Sequence, residues 1–413
     1  MDRNFYIQAR KSFGEAMVDD SLAVFYSGIF RRDTNDQLAH PFSVDRNFYY
    51  LTGIDRDNMI LLIWKNRGVV QEYLFIPPVD EHYEKWQARM MRTHEAADLS
   101  GVANVLYTYQ FEGQLAEKLM KTGTAKAIYI FSDIAEMCEP ETLYQKLAHQ
   151  ILAKFPHLQV LNPMDILIRL REVKAPEEVA EIQTAVDLCV GAMKHTASLL
   201  KPGIAEYQIK AHYIHYLHMQ GSAPRFRSVV AAGKNATILH YNEARYVTGA
   251  EDMVLIDAGA MNNWYVSDLT RTFPVSGKFT PRQREVYDIV LEAQQAGFSV
   301  IKAGVTEFEV NNAVKAVLAD GLKKLKLISD EKDVGKYYFH SSGHPIGLDL
   351  HDYRMPSRVM PEHCVHTLEP GLYIPEWSIG IRIEDNVLVT KDGYINLSAD
   401  LPKSASDVEN MVG

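Results

Sequence analysis

The chain has 413 residues, 47% of them hydrophobic and 23% charged, with a formal net charge of −10. That is room for two domains with their own cores, in the composition of an ordinary globular protein. The acidity, with no long basic run, argues against nucleic acid as a partner. No uninterrupted apolar run reaches the length of a membrane span, so no membrane association is expected. The three cysteines, Cys138, Cys189 and Cys364, are too widely spaced for a Cys-x-x-Cys site or a disulfide framework. They point to a reducing compartment. Residues 1–5 show no basic-then-apolar leader, and a cytoplasmic location is the expectation.

In chain order, the apolar run 59–64 ends at the turn signal Asn66-Arg67-Gly68 and reads as a strand. Residues 72–76, stopped by Pro77-Pro78, make a second strand and 127–131 a third. Helical patterns at 112–119 and 141–154 interleave with them, which predicts an N-terminal α/β domain. The texture changes at 162–176, where Pro176-Glu177-Glu178 opens a long helix. The boundary is placed at 172, giving domains 1–172 and 173–413. Beyond it, helices are predicted at 177–200, 205–220, 282–302 and 306–325, the first carrying Val179, Ile182, Val186, Val190 and Met193 at helical spacing. Strands are predicted at 253–257, 263–275, 364–374 and 379–390. Two strand pairs, each carrying two acids, suggest a pseudo-duplicated antiparallel sheet with covering helices, for an α+β protein as a whole.

Those four acids are the chemistry. Asp257 ends an otherwise apolar strand, a place where an acid is rare unless paired or metal-bound. Asp268 alternates with Trp264, Val266, Thr270 and Thr272 on one strand face. Glu369 precedes Pro370-Gly371, and Glu384 shares a face with Arg382. Burying four carboxylates with one cation is very costly, and divalent ions would compensate. Three histidines in the twelve residues from His340 to His351 flank glycines that admit close backbone approach. This cluster is the source of a candidate fifth ligand. A His-Glu-x-x-His zinc helix is excluded, because residue 341 is Ser. The oxygen-rich donor set suits manganese, cobalt, ferrous iron or zinc, and two ions a few ångströms apart point to hydrolysis.

The ordered set Asp257, Asp268, His344, Glu369, Glu384 resembles the pita-bread metallopeptidases, a family that includes methionine aminopeptidase, aminopeptidase P and prolidase. Leu-Ile-Asp-Ala-Gly, Ser-Asp-Leu-Thr-Arg-Thr-Phe, Leu-Glu-Pro-Gly-Leu-Tyr-Ile and Gly-Ile-Arg-Ile-Glu-Asp carry the likeness over about 175–400. The resemblance implies that Asp257 and Asp268 hold one ion and His344 and Glu369 the other. Asp268 and Glu384 would bridge them, and Glu369 would also shuttle a proton. It further implies that His240, His340 and His351 contact the substrate or its tetrahedral intermediate, that Arg382 positions substrate and ligands, and that Tyr373 lines the pocket.

In the front part, Arg31-Arg32-Asp33 and the aromatic stretch from Phe42 into Leu51-Thr52-Gly53 resemble the aminopeptidase P N-terminal domain. Glu84-Lys85-Trp86-Gln87-Ala88-Arg89 resembles a segment whose Trp lines the substrate pocket, with Ala88 where a Gly is usual. The implied activity is that of a Xaa-Pro aminopeptidase, releasing the first residue of peptides with proline second. It would use two divalent ions, manganese first, in a homo-oligomer (dimer or tetramer). The alternative is a prolidase, which cleaves Xaa-Pro dipeptides. A more distant one is a non-catalytic peptide- or protein-binding module on the same fold, against which the complete ligand set argues.

Overall fold

The structure is a computed structural model that describes residues 1–30, 42–120, 125–131 and 141–412. Arg31, Arg32, Asp33 and Cys138 lie outside the described residues. The chain divides into two compact units, Met1–Leu170 and Arg171–Gly413.

Among the described residues, the first unit is built on a six-stranded mixed sheet. Its order is Asn104–Tyr107, Val69–Ile76, Ile60–Asn66, Ser21–Tyr26, Ala127–Tyr129, Gln159–Leu161. Ser21–Tyr26 runs antiparallel to Ile60–Asn66 and parallel to Ala127–Tyr129. The hairpin at 66–69 turns on Arg67 and Gly68, both at positive φ, the conformation a two-residue hairpin loop needs. Leu22, Val24, Leu62, Phe75 and Ile128 meet Leu115 and Ile151 from the helices Phe111–Met120 and Leu143–Lys154. The Leu51-Thr52-Gly53 run closes a short buried helix, Arg46–Thr52. Gly53 ends it at φ 71, and a Cβ there would come within 2.3 Å of the Tyr6 ring. Only glycine meets both conditions.

The second unit repeats one plan twice. Helices Pro176–Ala197 and Glu206–Met219 pack on each other, as do Pro281–Val300 and Glu307–Lys324. Pro176 and Pro281 each stand in the first turn, where their missing N–H costs nothing. Thr280 and Thr306 close capping boxes with Gln283 and Glu309. One antiparallel ladder has Met253–Ala258 between Val229–Ala232 and Leu269–Pro274, and the other has Asp385–Val389 between Val365–Leu368 and Tyr394–Asn396. A separate hairpin pairs Gly371–Ile374 with Ile379–Arg382. No helix among the described residues is long and apolar enough to cross a membrane.

Three of the expected strands are interrupted. The span 263–275 divides into Tyr265–Val266 and Leu269–Pro274, behind a turn at Asn263-Trp264 with positive φ at both residues. The span 364–374 breaks between Leu368 and Gly371, and 379–390 between Arg382 and Asp385. The breaks fall at Asp268, Glu369 and Glu384. At each, the backbone N–H finds a partner outside the regular ladder. Asp268 N donates to Asn386 Oδ1, Glu369 N to Ser342 O, and Glu384 N to Thr270 O. The interruptions keep the backbone satisfied while turning three carboxylates to the same side.

Candidate active site

Asp257, Asp268, His340, His344, Glu369, Arg382 and Glu384 all line one cavity of about 680 Å³ within the second unit. Asp257 lies near the end of its strand, opposite Thr270 of the next. His344 Nε2 is 3.4 Å from Asp268 Oδ2 and 3.7 Å from Glu369 Oε1. One donor atom from each of Asp268, His344 and Glu384 lies within 4.8 Å of the others. His344 Nδ1 faces Pro345 O at 3.1 Å. A carbonyl only accepts, so Nδ1 carries the proton and Nε2 is left as a lone-pair donor toward the carboxylates.

The electrostatics are those of a site built for cations. Burial pushes Asp268 well above the carboxylate range, and the charges of Asp257 and Glu369 push it further. Glu384 is driven up by burial and then by Asp268 and Glu369. Glu369 is also raised by burial, against the pull of His344 and Arg382. Asp257 Oδ1 and Asp268 Oδ1 are buried with no hydrogen-bond partner among the described residues. Among the described residues Arg382 is the one Lys or Arg bonded into the cluster, its Nη2 2.5 Å from Asp257 Oδ2. Four carboxylates, one guanidinium and orphaned inward oxygens fit a pair of divalent ions, and the hard donor set admits several metals.

A model of metallopeptidase family M24 matches residues 180–391, and a model of the aminopeptidase P N-terminal domain matches residues 6–129. The chain belongs to metallopeptidase family M24. Among its relatives, the Xaa-Pro aminopeptidase of Haemophilus influenzae is 32% identical, over 96% of this chain and 94% of that one. The Xaa-Pro aminopeptidase of Escherichia coli is 30% identical, over 100% and 98%. Among solved structures, aminopeptidase P from E. coli with the inhibitor Pro-Leu superposes with a TM-score of 0.92 at 28% identity, covering 100% of this chain and 98% of that one.

Around the M24 carboxylates the other expected residues take distinct places. His240 and His351 line the same cavity. The His351 ring packs edge-on against His344, centroids 4.2 Å apart, and burial followed by the neighbouring His344 lowers its pKa. His340 is engaged at both nitrogens, Nδ1 with Ser341 O at 2.7 Å and Nε2 with Tyr373 Oη at 2.9 Å. Burial first and Arg382 second hold its pKa down to about 3, so the ring is neutral and Nε2 accepts from the tyrosine. Arg382 Nη1 donates to the same Tyr373 oxygen at 2.8 Å. Arg382, Tyr373 and His340 thus form a chain of hydrogen bonds beside the carboxylates. Tyr373 is buried and reaches the cavity through this chain, and it is not itself among the lining residues. Trp86 belongs to the first unit, 74% exposed on the helix Glu81–Trp86, and the lining residues of the cavity all come from the second.

Three further residues, not expected from the sequence, hold the acids and His344 in place. Thr270 Oγ1 donates to Glu384 Oε2 at 2.7 Å and accepts from Arg382 Nε at 3.1 Å. Asn386 clamps the Asp268 backbone from both sides, its Nδ2 donating to Asp268 O at 2.6 Å and its Oδ1 accepting from Asp268 N at 3.1 Å. Thr367 Oγ1 accepts from His344 N at 3.0 Å. The available signal was polarity inside runs of buried β residues, the same signal that disclosed the acids.

Proposed function

We propose that this chain hydrolyses the Xaa-Pro bond, releasing the N-terminal residue of peptides with proline second. Its ligand residues are Asp257, Asp268, His344, Glu369 and Glu384, as the sequence suggested. The single observation that carries the reading is the buried carboxylate cluster, under-compensated by protein cations, at the wall of a peptide-sized cavity. Full-length similarity to Xaa-Pro aminopeptidases supports the choice of substrate.

When bound, two divalent ions supply Lewis acidity and a water acidic enough to act as nucleophile near neutral pH. The protein does the rest. Glu369 takes a proton and returns it to the departing imide nitrogen, a role its proximity to His344 and its raised affinity for a proton support. His240 and His351 contact the scissile carbonyl and the developing oxyanion. Arg382 neutralises Asp257 and, through Tyr373, fixes His340. Phe226, Leu239 and Leu350 give the cavity apolar wall suited to a proline ring, which brings no N–H and a fixed φ.

Manganese is the first choice of metal, with cobalt, iron and zinc compatible with the donor set. Trp86 is proposed as a substrate contact supplied to a neighbouring copy in a homo-oligomer, since its exposure leaves it no task in its own unit's core. Cys189 and Cys364 are buried free thiols, in keeping with a reducing, cytoplasmic setting. The test is to load the protein with manganese and offer Xaa-Pro dipeptides, Xaa-Pro-Yaa peptides and Xaa-Ala-Yaa controls. Release of the first residue from the longer proline peptides supports the reading. Cleavage of dipeptides alone would make the chain a prolidase, and no release from any proline peptide would sink the peptidase assignment.

A further inference from the structure

The helix Glu206–Met219 begins on a side chain wholly removed from solvent, Glu206 at 0% exposure. Its partners belong to one stretch of chain. Oε1 accepts from Ala232 N at 2.8 Å and Asn235 Nδ2 at 3.0 Å. Oε2 accepts from Tyr241 Oη and Tyr246 N, both at 2.9 Å. Glu206 N also donates to Tyr246 O at 2.9 Å. Four neutral donors on two oxygens call for an acceptor-only, ionised carboxylate. Burying such a group is costly unless every lone pair is used, so it marks a task that an apolar residue would not perform.

The task is visible in what the four donors bracket. Residues 232–246 form the loop that carries His240, and Tyr241 is its immediate neighbour. His240 lines the cavity of the carboxylate cluster. The course of the loop backbone sets where that side chain is presented. The Tyr241 ring packs with Val229, Leu255 and Tyr373, and its hydroxyl reaches Glu206. On the other side the loop is seated against Gly380, where a Cβ would stand 1.9 Å from Ala236 O.

We infer that Glu206 is a positioning residue that fixes the 232–246 loop and thereby sets His240 over the reacting centre, without itself touching substrate. The inference rests on the proposed role of His240 as a substrate contact. Glu206→Gln conserves volume but places an amide N–H₂ against the N–H of Ala232 or Tyr246, donor facing donor, and releases one edge of the loop. Tyr241→Phe removes the hydroxyl's bond to Glu206 and the long one it accepts from Arg245 N at 3.5 Å, and leaves the other three donors on Glu206.

The experiment is a double-mutant cycle on the manganese-loaded, full-length protein. kcat and KM are measured on one Xaa-Pro-Yaa peptide for wild type, Glu206→Gln, His240→Ala and the double variant, with metal content recorded for each. Glu206→Gln is expected to lower kcat/KM about tenfold or more, the usual scale for a supporting partner. In the His240→Ala background the same change should cost less than about twofold, because coupled residues are non-additive. A general loosening of the fold would cost the same factor in both backgrounds, and that result overturns the inference, as does a folded Glu206→Gln with unchanged kinetics. Should Glu206→Gln fail to fold, the cycle is run with Tyr241→Phe and judged by the same criterion. An inactive wild type strikes the peptidase reading, and a fully active His240→Ala strikes the role of His240. Either also overturns the inference, and each is distinct from simple additivity.

Discussion

Glu384 and Asp385 are chain neighbours, both buried, at 2% and 0% exposure, yet their surroundings are opposite. Asp385 accepts from Arg271 Nη2 at 2.6 Å, Lys403 Nζ at 2.7 Å and Ser398 Oγ at 2.9 Å. Burial pushes its carboxyl up, but Arg271 and Lys403 more than reverse this and its pKa lies below the usual value. Glu384 has the Thr270 hydroxyl for a hydrogen bond and the charges of Asp268, Glu369 and Asp257 for neighbours, and its pKa lies well above. Asp385 is a structural carboxylate matched by the protein's own cations. Glu384 and its companions have no such match among the protein's own cations, and the proposed divalent ions would supply it. Adjacent residues of an extended chain face opposite ways, which puts the two acids in these two environments.

The largest expected effect separates the neighbours by activity. On the proposed bridging role of Glu384, its removal forfeits several kcal/mol of transition-state stabilisation, so Glu384→Ala should lower kcat/KM by at least about a thousandfold. A loss below tenfold in steady-state assays with saturating manganese would break the comparison. Stability should reverse the order. Asp385→Asn removes the buried counter-charge of Arg271 and Lys403 and should cost about 3–5 kcal/mol, read from urea unfolding. Glu384→Gln removes a repelling charge, so the metal-free protein should be no less stable than wild type. Equal destabilisation by both would contradict the distinction.

A third prediction extends the matched class. Asp352 accepts from Arg171 Nη2 at 2.6 Å and Lys174 Nζ at 3.0 Å. Burial raises its pKa, Arg171 and Lys174 lower it more, and the net is a depressed value. A carboxyl depressed in the folded state stabilises above its unfolded pKa of about 3.9, and that contribution is lost as pH falls through the folded value. Urea midpoints measured from pH 5 downward should therefore drop more steeply for wild type than for Asp352→Asn. Parallel curves would remove Asp352 from the matched class. The smallest effect concerns the exposed Trp86. Trp86→Ala should leave stability within about 0.5 kcal/mol while raising KM for the longer proline peptides by about fivefold, the scale of a modest contact. An unchanged KM would remove it from the site.

Legibility in the sequence followed the range of the physics. Asp257 was readable because one acid at the end of an apolar run is a local anomaly. Glu384 and Arg382 were readable as alternate residues on one strand face. The strand breaks were not, because their causes are remote: Asn386 and Asp268 are 118 residues apart, and Thr270 and Glu384 are 114 apart. The helix Arg3–Ala16 went unread because its buried face includes Arg10, whose charge hides the apolar stripe and is answered by Glu72 at 2.8 Å. The strand Ser21–Tyr26, central in the first sheet, is buried almost throughout, and such a run lacks the alternation that distinguishes a strand from a buried helix segment. Glu206 reads locally as an ordinary acid in a helix's first turn. Its hydrogen-bond partners lie 26 to 40 residues further on.

The contrast between the two neighbouring acids is tested most directly by counting metal. Wild type, Glu384→Gln and Asp385→Asn would be stripped with chelator, reloaded with manganese, freed of excess ion, and assayed for metal per chain by elemental analysis. The carboxylate cluster predicts two equivalents for wild type and for folded Asp385→Asn, and no more than one for Glu384→Gln. Two equivalents retained by Glu384→Gln, or none taken up by wild type, would contradict the assignment of the unmatched acids as ligands.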